Sequence, residues 1–62
     1  MLEKTYYIAN TEALDIAIDV ISNVITCGTI ERECIEMDYS KVTVKTTPHN
    51  IPYVEKVLAP LV

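Results

Sequence analysis

Basic residues are scarce in this chain. Five lysines and arginines stand against nine aspartates and glutamates, a net charge of −4. Proteins that hold nucleic acid or an anionic membrane do so with Lys and Arg at phosphates, so the balance argues against both partners. Glycine occurs once, at Gly28, and the three prolines all lie from Pro48 onward. The body of the chain is therefore built of regular elements with short connections. No apolar run is long enough to span a bilayer, because Leu14–Ile25 is short and is broken by Asp15 and Asp19. Nothing reads as a signal peptide: Met1–Ala9 carries Glu3 and Lys4 and has no long apolar core. The two cysteines, Cys27 and Cys34, form no CxxC motif. We expect them reduced, buried or half-buried, with no disulfide and no metal. His49 is the only histidine and sits in a proline-bounded loop, where a solvated side chain is expected. The expected setting is the cytoplasm, or a host cytoplasm if the chain is phage-encoded.

What is present is a helix with too much apolar surface. Over Thr11–Cys27, at about 100° per residue, Glu12, Asp15, Asp19, Ser22, Asn23 and Thr26 fall in one narrow polar stripe. Ala13, Leu14, Ile16, Ala17, Ile18, Val20, Ile21, Val24 and Ile25 fill the rest. A helix on one sheet needs an apolar stripe of only ~100° or a little more, and this arc is roughly twice that. It should be buried on two sides. The chain has 62 residues and reads as one small α+β domain, residues 1–62, marginal alone and commonly helped by oligomerisation. The second cover is therefore expected to be another copy of the chain.

The flanking segments supply a sheet. Leu2–Ala9 reads as a strand, with Leu2, Tyr6 and Ile8 on one face and Glu3, Thr5 and Tyr7 on the other. Asn10 and Thr11 offer N-cap oxygens to the helix, with Glu12 and Asp15 in its first turn and Gly28 as its left-handed terminator. Thr29–Tyr39 and Lys41–Thr47 read as a hairpin with Tyr39 and Ser40 at the tip. In that register Met37 faces Val42, Ile35 faces Val44 and Cys34 faces Lys45. After the Thr47–Asn50 connection, Asn50 would cap a short second helix whose inner stripe is Val54, Val57, Leu58 and Leu61. The predicted core is Tyr6, Ile8, Leu14, Ala17, Ile18, Ile21, Ile25, Ile35, Met37, Val42, Val44 and that last stripe.

The order β-α-β-β-α with a right-handed crossover leaves the hairpin's return strand between the other two. This is a three-stranded antiparallel or mixed sheet with two helices on one face, a truncated ferredoxin-like arrangement. In element order it resembles the heavy-metal-associated domains. Those carry a Cys-x-x-Cys pair after the first strand. The matching positions here are Ala9-Asn10-Thr11-Glu12, so their metal-transfer chemistry does not carry over.

No activated nucleophile, acid–base pair or cofactor signature emerges, and we expect neither catalysis nor a cofactor. Elimination leaves protein binding. The candidate surfaces are the acidic row Glu12, Asp15 and Asp19 and the open sheet face around Tyr7 and Lys45. A dimer would form by antiparallel pairing of two first strands around Tyr6 and Ile8, or by helix packing through Ile16 and Val20. Very short acidic chains of this kind are often encoded by phages or mobile elements and commonly inhibit a host defence protein by occluding it. The alternatives are a ferredoxin-like module for a small ligand or metal, and an accessory subunit of a larger complex.

Overall fold

The computed structural model describes residues 1–25 and 27–62. Thr26, placed by periodicity in the polar stripe of the first helix, lies outside the described residues. The elements run β1 (Leu2–Ala9), α1 (Glu12–Val24), β2 (Gly28–Cys34), β3 (Tyr39–Thr46), a 3-10 turn (Pro48–Asn50), α2 (Ile51–Leu58) and a second 3-10 turn (Ala59–Leu61). The expected second helix is thus a short α-helix bracketed by two tighter turns. Pro52 and Pro60, which donate no backbone N–H, each stand at the start of one of these segments. The sheet order is β1-β3-β2, with β3 antiparallel to both neighbours. The class is α+β.

One face of the sheet is covered. Ile8, Val42 and Val44 meet Leu14, Ala17 and Ile21 of α1 and Val54 and Leu58 of α2 in a single core. Tyr6, Ile18, Ile25, Val57 and Leu61 pack around it as expected, joined by Ile30 and Tyr53. The helix start also follows the sequence: Thr11 Oγ1 accepts from the Leu14 N–H at 3.3 Å, which satisfies one orphan donor of the first turn.

The hairpin differs. Arg32, not Met37, stands opposite Val42, and Ile30, not Ile35, stands opposite Val44. The slip is odd, so every β2 side chain changes face. Ile35 and Met37 leave the core for a connecting loop and are exposed. Cys34 pairs with Ser40, while Lys45 pairs with Thr29. The strands are joined through Ile35–Asp38, where the Ile35 and Glu36 N–H groups both reach the Tyr39 carbonyl, at 3.3 and 3.2 Å. Apolar pairing alone favours the other register. Here the covered face gains the Arg32 guanidinium, which finds polar partners in Asp15, Asn10 and Ser40.

Three further expectations are corrected. The helix ends at Val24, and its C-cap Ile25 is extended, so Gly28 is not its terminator. Gly28 instead opens β2 at φ +124°, where a Cβ would run into the Lys45 carbonyl. Only glycine fits there, for a reason of sheet geometry. The side chain of Asn50 caps no helix; it donates to Thr46 Oγ1 at 3.1 Å and to Thr47 Oγ1 at 3.3 Å. Thr46 Oγ1 in turn donates to the Cys27 carbonyl at 2.8 Å, which ties the end of β3 to the α1–β2 connection. Both cysteines are free and exposed rather than buried.

Candidate functional site

Three surfaces hold the residues singled out by the sequence. The first is the outer side of α1. Ile16 and Val20 are 56% and 37% exposed, and Val24 is 51% exposed. With Ala13 they make one apolar line at helical spacing that flanks the side burying Leu14, Ala17 and Ile21, roughly a quarter-turn round the helix from it. The helix thus has an apolar face that the sheet covers and, beside it, an apolar line that nothing among the described residues covers. Glu12, Asp15 and Asp19 lie beside the outer line and are exposed. No lysine or arginine lies on α1.

Asp15 is not free like its neighbours. It accepts from Nη1 of Arg32 in an ion pair between α1 and β2. Arg32 also donates through Nη2 to Asn10 Oδ1 at 3.1 Å, and its Nε lies 3.5 Å from Ser40 Oγ. Ser40 is fully buried and donates to Asn10 Oδ1. Cys34 Sγ is 3.6 Å from the same hydroxyl. Asn10 completes the cluster from the other side: its backbone N–H donates to the Asp38 carbonyl at 2.7 Å and its Nδ2 to the Met37 carbonyl at 3.3 Å. This group of Asn10, Asp15, Arg32 and Ser40 is how the covered face tolerates a cation. It was not legible in the sequence, because its members are brought together only by the observed register.

The second surface is the open face of the sheet. Glu3, Glu31, Arg32, Glu33, Lys41, Thr43 and Lys45 line a shallow concavity of about 590 Å³. Register sets Glu3 beside Lys45 and Lys41 beside Glu33, and Lys45 Nζ lies 3.8 Å from Glu3 Oε2. Lys45 thus has a carboxylate partner already, at an exposed pair of low strength. Tyr7 is exposed on this face, as expected, but stands across from Lys41 rather than near Lys45. There Tyr7, Ala9, Asp38 and Tyr39 line a second concavity of about 400 Å³, more apolar than the first.

The third is the outer edge of β1, an edge strand because only β3 pairs with it. Of the residues expected at a strand-paired seam, Ile8 is a core residue and Tyr6 is half-buried. Their side chains pack inward, so pairing there would use the backbone. Lys4, which interrupts the apolar face of β1, reaches Glu55 of α2 at 2.9 Å. That hydrogen bond and the carboxylate's charge raise the Lys4 pKa above its usual 10.5. Tyr6 Oη is buried with no partner among the described residues. Desolvation, with Glu55 adding to it, raises the Tyr6 pKa above its usual 10.0.

No helix among the described residues is long and apolar enough to cross a membrane. Among known protein families, characterised proteins and solved structures, none matches this chain.

Proposed function

We propose that this chain is a non-enzymatic protein-binding module that works as a homodimer. In the form that its size and acidity favour, it is an inhibitor of the phage or mobile-element kind, occluding a host defence protein. The observation that carries the reading is the second apolar face of α1, Ile16, Val20 and Val24, exposed on a helix whose other side is already in the core. A chain this small does not keep such a line in water without use for it. Packing two copies through it covers the line and presents every other surface twice, which raises avidity for a dimeric or repetitive target. The free edge of β1 is the other place where two copies would join.

Target contact then falls to polar surface: the row Glu12, Asp15 and Asp19, or the open sheet face with Tyr7 and Lys45. Asp19 is the informative member of the row, because Asp15 also holds Arg32. Light scattering on the purified chain at tens of micromolar tests the dimer. We expect twice the chain mass, with Val20→Asp and Ile16→Asp returning it to a folded monomer. A wild-type monomer at that concentration overturns the homodimer.

A further inference from the structure

The hairpin tip has properties that neither folding nor the α1 dimer uses. Met37 is 94% exposed, and Ile35 two residues before it is also exposed. A large apolar side chain in water is ordinarily a feature of a loose loop, but this loop is tied down. The Ile35 and Glu36 N–H groups close on the Tyr39 carbonyl, and Asn10 holds the Met37 and Asp38 carbonyls. Asn10 is itself held by Ser40 and Arg32. The loop is therefore ordered before any partner arrives, which lowers the entropy lost on binding. Next to it lies the 400 Å³ concavity formed by Tyr7, Ala9, Asp38 and Tyr39. Its tyrosine rings can take an alkyl chain or stack on a guanidinium, and Asp38 can take the charge.

The surroundings fix the sign of the partner. Glu33, Glu36 and Asp38 are all exposed at this end of the molecule. The chain has little cation to offer them. Lys4, Arg32 and Lys45 are each in an ion pair with a carboxylate of the same chain, and Lys41 is set beside Glu33 by register, which leaves Lys56, next to Glu55 on α2, as the exposed cation in neither arrangement among the described residues. A second copy is thus a poor occupant.

We propose that the hairpin tip, Ile35 and Met37 together with the Tyr7–Tyr39 concavity, is a docking surface for a segment of a partner protein that alternates apolar and cationic side chains. This rests on the reading of the chain as a protein-binding module and names the surface and the chemistry it recognises.

The test is an amide-resolved NMR titration of the full, isotope-labelled chain with synthetic peptides: alternating Leu and Arg, alternating Leu and Glu, and alternating Ser and Arg. The Leu–Arg peptide should saturate and shift the amides of residues 35–39, Tyr7 and Ala9. The other two should bind at least about tenfold more weakly, since each lacks one half of the recognised chemistry. Met37→Asp should weaken the Leu–Arg peptide by about tenfold or more, and Met37→Leu by less than about threefold. Tyr7→Ala, at an exposed position, gives a second variant with the same expected direction. No saturable shift with the Leu–Arg peptide, shifts confined to α1 and α2, or equal binding of the Ser–Arg peptide would overturn the proposal. Tip shifts that grow with chain concentration alone would also overturn it, by making a second copy the occupant. Light scattering on the same samples keeps the two readings apart: a monomer that binds at its tip defeats only the dimer, and a dimer that does not bind there defeats only the tip.

Discussion

On the β1 edge of the sheet, Lys4 stands on the covered face and meets Glu55 of α2; on the β2 edge, Arg32 stands on the same face and meets Asp15 of α1. Both are inward-facing cations on edge strands, each tied to the helix over its own edge. Inward charge of this kind discourages unplanned strand pairing. The two differ in how much else depends on them. Lys4 makes one exposed contact, a type of pair that contributes little to stability. Arg32 also reaches Asn10 and Ser40, and through Asn10 the hairpin loop. The β1 edge is closed loosely and the β2 edge firmly. Of the two, β1 is the edge a second copy would open more easily.

The largest expected effect lies beneath the firm edge. Ile21 of α1 is fully buried, and Ile21→Ala should cost ~2–5 kcal/mol, enough to unfold much of a chain this size. Urea unfolding checks it, and an unchanged midpoint would show that α1 does not sit on this face. Arg32→Leu comes next. It removes the bonds to Asp15 and Asn10 and should cost ~1–3 kcal/mol, with faster amide exchange at the hairpin loop. If exchange there stays at the wild-type rate, the loop is held by something other than the cluster.

How much of this was readable from residues follows the same division. β1, the Thr11 cap and most of the core are written in local periods, where alternating Tyr6 and Ile8 or helical Leu14, Ala17 and Ile21 declare their own face. The hairpin register is not local. Its loop lacks Asn-Gly or Asp-Gly, so nothing in Ile35–Asp38 names a turn. Pairing Ile35 and Met37 with valines looks better by hydrophobic count. It loses to a register that places Ile30 under the helices and gives Arg32 its polar partners. Hydrophobic pairing alone therefore gives no sign that Ile35 and Met37 stand exposed in a loop. Gly28 was legible as a special position but not in its actual role, because the strand it opens lies against a carbonyl brought close only by the sheet.

Smaller effects sharpen the picture of the loose edge. Tyr6→Phe removes a buried hydroxyl that has no partner among the described residues and should leave stability unchanged or raise it by up to ~1 kcal/mol, an increase of a few degrees in Tm. A marked fall in Tm would mean that the hydroxyl is satisfied in solution. The smallest effect is on pH dependence. Lys4 and Tyr6 both have folded-state pKa values above their usual ones, so the folded chain holds these protons longer than the unfolded chain. Their contribution is full at neutral pH and is lost as pH rises past about 10 and through the folded values. Denaturant midpoints followed from neutral to about pH 11 should fall, and fall less steeply in Lys4→Met and in Tyr6→Phe. An identical fall in both variants would assign the alkaline loss elsewhere.

The Arg32 cluster also bears on the order of folding events. Its bonds from Arg32 to Asp15, from Arg32 to Asn10 and from Ser40 to Asn10 span 17, 22 and 30 residues. The first needs α1 docked beside β2 and the last needs β1 brought to β3, each at the cost of closing a long loop, so the cluster is complete only once all of these elements have met. The cluster is a latch set after the frame is built. Interactions absent from the transition state act on the rate of opening rather than of closing. Its loss should therefore show as a shorter native lifetime with the refolding rate nearly unchanged, and the hairpin tip would be the first part of the molecule to come undone.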